Sequence, residues 1–153
     1  MTPLDAFDLA ILRQLQRDNT LSLHRIGAAV NLSAPSVQRR IRRMQAEGVI
    51  AANVAVLDPA KVGLALTIFV EVELVSETPD DIDAMKRRLR DAPEVQQCHY
   101  VTGEADFLLV VVVDSMASYE AFTRRVFFQA GNVRKFRTLV SMAPVKTGLA
   151  LPV

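Results

Sequence analysis

The sequence predicts an α+β protein in two parts: a winged helix-turn-helix over residues 1–60 and a βαββαβ, ferredoxin-like domain over residues 61–153. Three observations carry this. Residues 22–48 read as two short capped helices joined by a tight turn, the second bearing Arg39, Arg40, Arg42 and Arg43. After the turn-like stretch Asp58–Gly63 the apolar period changes from helical to alternating. Strand, helix, strand, strand, helix and strand patterns then follow in that order.

Within residues 4–17, Phe7, Ile11 and Leu15 recur at helical spacing. Ser22 suits the start of the next helix, with Leu21, Ile26, Ala29 and Val30 on its apolar side and Leu32 plugging the turn. Ser33 is a good N-cap for the third helix, and Pro35 is tolerated in a first turn, where its missing N–H has no helical partner. Val37, Ile41 and Met44 form one stripe, and Gly48 stops the helix. If the stripe faces the other helices, Ser36, Gln38, Arg39, Arg42 and Arg43 face outward. Arg40 lies at the stripe edge, where an ion pair can anchor it. Residues 49–57 alternate weakly and read as a strand or wing.

A basic second helix after a capped turn is suited to a DNA groove. Arginine can bond guanine bidentately and glutamine adenine, while a helix N-terminus suits a phosphate. The expected DNA-binding set is Ser22, Arg25, Ser33, Pro35, Ser36, Gln38, Arg39, Arg42 and Arg43. The chain's net charge is only +1, but the charge is unevenly placed. Residues 1–62 hold eight Lys/Arg against five Asp/Glu, net +3, and residues 63–153 hold ten against twelve, net −2. Local rather than total charge sets phosphate attraction.

In the second half, Leu66, Ile68, Val70, Val72 and Leu74 occupy alternate positions of a strand. Thr78 caps a helix carrying Ile82, Met85 and Leu89, with Asp81 as the returning acid. Residues 95–101 and the wholly apolar run 107–113 read as strands around the turn Thr102–Asp106. Asp114 and Ser115 cap a helix with Met116, Tyr119, Phe122 and Val126 inside, and residues 133–142 form the last strand. An antiparallel sheet with one wet face alternates, so a continuous apolar strand needs cover on both faces. Two helices cover one face only, which predicts a homodimer through the other, setting two recognition helices on two half-sites.

Half of the residues are hydrophobic, and no run approaches the ~18 apolar residues of a membrane span. The N-terminus shows no signal-peptide pattern and Cys98 is the single cysteine, which together predict a cytoplasmic protein without disulfides. His24 and His99 are the only histidines. No catalytic triad, phosphate loop or metal-ligand spacing is evident, so no catalytic residue, metal or cofactor is expected.

Several motifs in this order resemble the Lrp/AsnC, or feast/famine, family of transcription regulators. Leu4–Leu12 resembles its opening Leu-Asp-x-x-Asp-x-x-Ile-Leu. Leu32-Ser33, Arg39-Arg40-Ile41 and Glu47–Ile50 match its recognition helix and exit, Leu57–Pro59 with Val62-Gly63 its linker, and Val101–Leu109 its effector turn. The resemblance implies a winged helix-turn-helix joined to a RAM domain, dimers often assembling into octamers, and a free amino acid bound in clefts between RAM domains. It places the effector near Tyr100, Thr102, Gly103, Glu104 and Asp106, with Met116, Leu139, Val140 and Ser141 opposite. Gly103 can leave N–H groups free for a carboxylate, and Asp106 or Glu104 could receive an ammonium, unless Asp106 only caps its own turn. The family often has an aromatic residue where Ala105 and Asn53 stand here. Two rival readings are a sirohaem-decarboxylase-like enzyme of similar fold and a stand-alone amino-acid sensor. The arginine helix speaks against both, since neither has a use for it.

Overall fold

A computed structural model describes residues 2–153. The chain forms two units: one runs to Val56 and also takes in Lys146–Val153, the other is Leu57–Val145. Residues 146–153, which follow the sheet in sequence, therefore pack with the helices. The physical cause is packing: Val153 lies against the helical core, and Leu151 bonds a helix side chain.

The first unit has three helices, α1 (Ala6–Arg17), α2 (Leu23–Val30) and α3 (Ala34–Ala46). Each begins on a side chain that accepts a free backbone N–H: Asp5 from Asp8, Ser22 from Arg25 and Ser33 from Ser36. At α1 the bond is reciprocal, because Asp8 accepts from the Asp5 N–H at 3.0 Å. Ile11, Leu12, Ile26, Val30, Val37 and Met44 are buried where the helices meet. Ala29 faces solvent, contrary to the expected stripe.

The α2–α3 turn depends on two residues. Asn31 adopts the left-handed conformation at φ 55°, which asparagine tolerates better than most residues. Gly27 is buried, and a Cβ there would lie 2.4 Å from the Leu32 carbonyl oxygen, which itself belongs to the turn backbone. No side-chain adjustment relieves such a contact. Gly27→Ala is therefore expected to destabilise this unit by about 1–3 kcal/mol, as overpacking does. Thermal unfolding followed by circular dichroism checks this.

The expected wing is not formed. No strand is assigned between Val49 and Leu57, and Val54, Val56 and Leu57 are exposed. Weak alternation without a pairing strand in the same chain leaves the backbone without ladder partners.

The second unit has strands β1 (Leu66–Leu74), β2 (Val95–Tyr100), β3 (Phe107–Val113) and β4 (Val133–Val140), with helices α4 (Pro79–Arg90) and α5 (Met116–Val126). The sheet is antiparallel in the order β2-β3-β1-β4, the ferredoxin-like arrangement. Ile68, Val70, Val72 and Leu74 alternate onto the helix side with Phe107, Leu109 and Val111, against Leu89, Phe122 and Phe127. The hydroxyl of Thr78 accepts from Asp81 N–H, but Asp81 returns to the Ser76 and Thr78 hydroxyls rather than to backbone. Register sets the other side of the sheet: Phe69 lies between Val110 and Leu139, and Glu71 between Leu108 and Arg137. Phe69, Leu108 and Leu139 are each more than 40% exposed, so beside the Glu71–Arg137 pair this face carries an apolar patch that is uncovered within one chain.

Candidate nucleic-acid interface and effector turn

The four arginines of α3 divide by helical geometry. Arg40 and Arg43, three residues apart, point toward the start of α1, where Asp5 and Asp8 are also three apart. Arg40 bonds Asp5 at 2.7 Å and Asp8 at 2.8 Å, and Arg43 bonds the other Asp8 oxygen. The Asp8 side chain is fully buried. Burial pushes the Asp8 carboxyl up, but the Asp5 backbone N–H and the two guanidiniums outweigh it, so the net shift is downward. The Asp8 N–H and then Arg40 lower Asp5 likewise, and the two carboxylates raise Arg40.

Arg43, expected to face outward, is half-buried and fastens α3 to α1, as the edge position of Arg40 led one to expect of Arg40 alone. The signal was legible, since two acids and two arginines recur at matching i, i+3 spacing. Gln38, Arg39 and Arg42 are exposed and make no ion pair, while Pro35 and Ser33 are exposed at the helix start. Ser36 is half-buried. Ser22 and Arg25 are exposed at the start of α2. The outward surface of α3 thus offers two unpaired guanidiniums and an amide, next to two capped helix N-termini. Such a surface can bond base edges and phosphates.

In the second unit, an open depression is lined by Glu71, Tyr100, Val101, Thr102, Glu104, Ala105, Leu108 and Arg137. Glu71 and Arg137 lie opposite each other on β1 and β4 and are bonded at 2.7 Å. The Arg137 guanidinium holds the Glu71 carboxyl below its usual range. Both residues escaped the sequence reading, because only register reveals that they face each other beside the turn.

The expected effector residues separate into three groups. Thr102 and Glu104 line the depression, and Gly103 sits between them with φ 129°, open to a glycine. The Tyr100 ring is turned to the helix side, 5.3 Å from the Phe107 ring and with Lys86 Nζ 5.0 Å from its centroid. Asp106 is committed to structure: its carboxylate accepts from Leu74 N–H at 2.7 Å, and its own N–H donates to the Val72 carbonyl. Through these bonds it braces the turn against β1 rather than capping its own turn. Met116, Leu139, Val140 and Ser141 do not line this depression, since they lie at the start of α5 and the far end of β4.

A helix-turn-helix with an outward basic helix, followed by a separate βαββαβ domain with a polar depression, defines a class: ligand-responsive transcriptional regulators. Comparison with known proteins gives the particular family. Residues 4–45 match the family model described as the AsnC-type helix-turn-helix domain, and residues 67–151 match the Lrp/AsnC ligand binding domain. The chain belongs to the Lrp/AsnC family of transcriptional regulators. It is 39% identical over 150 residues to an uncharacterized HTH-type transcriptional regulator of Sinorhizobium fredii, covering 98% of this chain and 89% of that one. It is 34% identical to the leucine-responsive regulatory protein of Haemophilus influenzae, covering 94% and 86%. Among solved structures, it is similar to an AsnC family transcriptional regulator from Agrobacterium tumefaciens, with a TM-score of 0.92, 34% identity and 97% of each chain covered. It is also similar to a Neisseria meningitidis transcriptional regulator in complex with L-Met, with a TM-score of 0.92, 27% identity and coverage of 98% and 97%.

Proposed function

We propose that this protein binds double-stranded DNA as a homodimer or a higher assembly such as an octamer, with an amino acid adjusting its assembly or its DNA affinity. In this reading it acts by binding and not by catalysis, in the cytoplasm. The observation that carries it is the division of the α3 arginines, two locked to α1 and two left unpaired and outward. Ser22, Arg25, Ser33 and Pro35 flank that surface and position phosphates, while Gln38, Arg39 and Arg42 reach bases.

The apolar, uncovered face around Phe69, Leu108 and Leu139 supports pairing with a second copy. A sheet face of this kind is stabilised by burial at roughly 25 cal/mol per Å² of apolar surface. The exposed Val54 and Val56 support the same association, since an extended apolar segment without a ladder partner can pair with another chain.

For the effector, the chemistry of the depression suits a zwitterion. Arg137 offers a carboxylate partner, and Glu104 and Glu71 offer ammonium partners. A second copy would supply the far wall, where Met116, Leu139, Val140 and Ser141 enter. The L-Met complex of the Neisseria regulator supports an amino acid as the ligand class. Calorimetry with the twenty amino acids tests this, heat from at least one being the expected result. Arg137→Ala is expected to weaken that binding about tenfold or more, since a hydrogen bond to a charged group contributes ~1.5–3 kcal/mol. No heat from any amino acid would contradict the effector reading and leave the DNA reading standing.

A further inference from the structure

The C-terminal segment leaves β4 at Val140 and returns to the first unit, where its last three residues are held. The Gln16 amide makes two bonds with the backbone of one residue: its Oε1 accepts from Leu151 N–H at 2.6 Å, and its Nε2 donates to the Leu151 carbonyl at 3.1 Å. Arg13 donates to the Val153 carbonyl at 3.0 Å. Val153 N–H closes a tight turn onto the Leu151 carbonyl, and the Val153 side chain packs against the helical core. The stretch before this anchor is of another kind. Met142 and Val145 are fully exposed, Leu149 is 79% exposed, and residues 143–150 include no helix or strand.

An anchor of three residues at the end of an unpacked, unpaired span is the form of a strap. Ten residues lie between Val140 and Leu151, and the span reaches ~36 Å when extended. The anchor is slight compared with the ordering entropy of such a span, so it suits a contact that opens and closes. The strap also starts close to the depression: Arg137 precedes the end of β4 by three residues.

We propose that residues 141–153 form a releasable strap whose end docks on α1, following the chain's second covalent crossing between the units at Val145–Lys146. The receptor is the α1 surface around Arg13 and Gln16, and its occupant is this chain's own Leu151-Pro152-Val153 segment. A change at β4 then reaches α1, and through the Asp8–Arg40–Arg43 cluster it reaches α3. Only this last consequence rests on the proposed function; the docking is tested without DNA.

The test is hydrogen-exchange mass spectrometry on the full chain and on Val153→Asp and Gln16→Ala. Release should speed exchange in α1 and at the bonded amides of positions 151 and 153 together, several-fold or more, with β1–β3 unchanged. Gln16→Ala alters the receptor and leaves the strap sequence intact, so agreement between the variants excludes a simple fault in the tail. If Val153→Asp unfolds the helical unit, Gln16→Ala alone decides. Unchanged exchange in either α1 or positions 151 and 153 overturns the tether. A second arm adds a duplex selected with the native chain: DNA should slow exchange at residues 133–145 in the native chain and not in the variants, because coupling is reciprocal. Equal slowing in all three overturns the coupling, whereas failure to select any duplex counts against the DNA reading and leaves the first arm to judge the tether.

Discussion

Asp8→Ala lowers the stability of the helical unit by about 3 kcal/mol, the lower end of the cost of breaking a buried ion pair. The reasoning starts from burial. Asp8 is fully buried and joins three groups: the Asp5 N–H, Arg40 and Arg43. Without it, two guanidiniums are left against the core with Asp5 alone to serve Arg40. Their side chains keep 21% and 31% exposure, so water relieves part of the charge, which sets the cost at the lower end. For a unit of this size, each kcal/mol moves the melting temperature by about 4–8 °C, and calorimetry resolves that easily. The same cluster governs acid sensitivity. Asp5 and Asp8 titrate lower in the folded chain than their ordinary value of 3.8. Their contribution is therefore present above that value and is lost as pH falls through the lower folded values. Melting temperature should drop below about pH 4 in the native chain, and the drop should be shallower in Asp8→Asn, which starts less stable.

Replacing Arg39 and Arg42 together by alanine weakens specific DNA binding about 30-fold or more. Each bidentate contact to a base contributes ~1–3 kcal/mol, and two such contacts on one helix face add to roughly 2–6 kcal/mol. If either residue instead holds a phosphate, the loss is uniform across sequences and the salt slope falls by about one per contact. The two outcomes separate base reading from positioning at each residue. Because neither guanidinium is ion-paired within the unit, the double variant should fold with the stability of the native chain. The contrast with Asp8→Ala is sharp: one change removes stability, the other removes recognition.

Much of the fold was legible because its signals are local. Caps at Ser22, Ser33, Thr78 and Ser115, the stripe of Val37 and Met44, and the alternation of Ile68 to Leu74 each follow from nearby residues alone. What escaped depends on distant pairing. Arg43 reads as outward until Asp8 is placed beside it, and Glu71 with Arg137 emerges only from the register of β1 and β4. Asp106 offered a free acid in sequence, but its partner is the Leu74 N–H, thirty-two positions away. Gly27 passes for an ordinary helical residue until the Leu32 carbonyl is found 2.4 Å from where its Cβ would be. The wing was read from alternation, which describes a strand's faces but not whether a partner strand exists. The return of Leu151 and Val153 to the helices has no periodic signature at all.

The central claim is that the outward face of α3 reads DNA. Selection from a random duplex library, followed by fluorescence anisotropy at fixed salt, tests it most directly. The account predicts that the native chain enriches a defined sequence and binds it far more tightly than random duplex, and that Arg39→Ala/Arg42→Ala loses this preference while melting as the native chain does. Enrichment of no sequence, or equal affinity and equal sequence preference in the folded double variant, would contradict it.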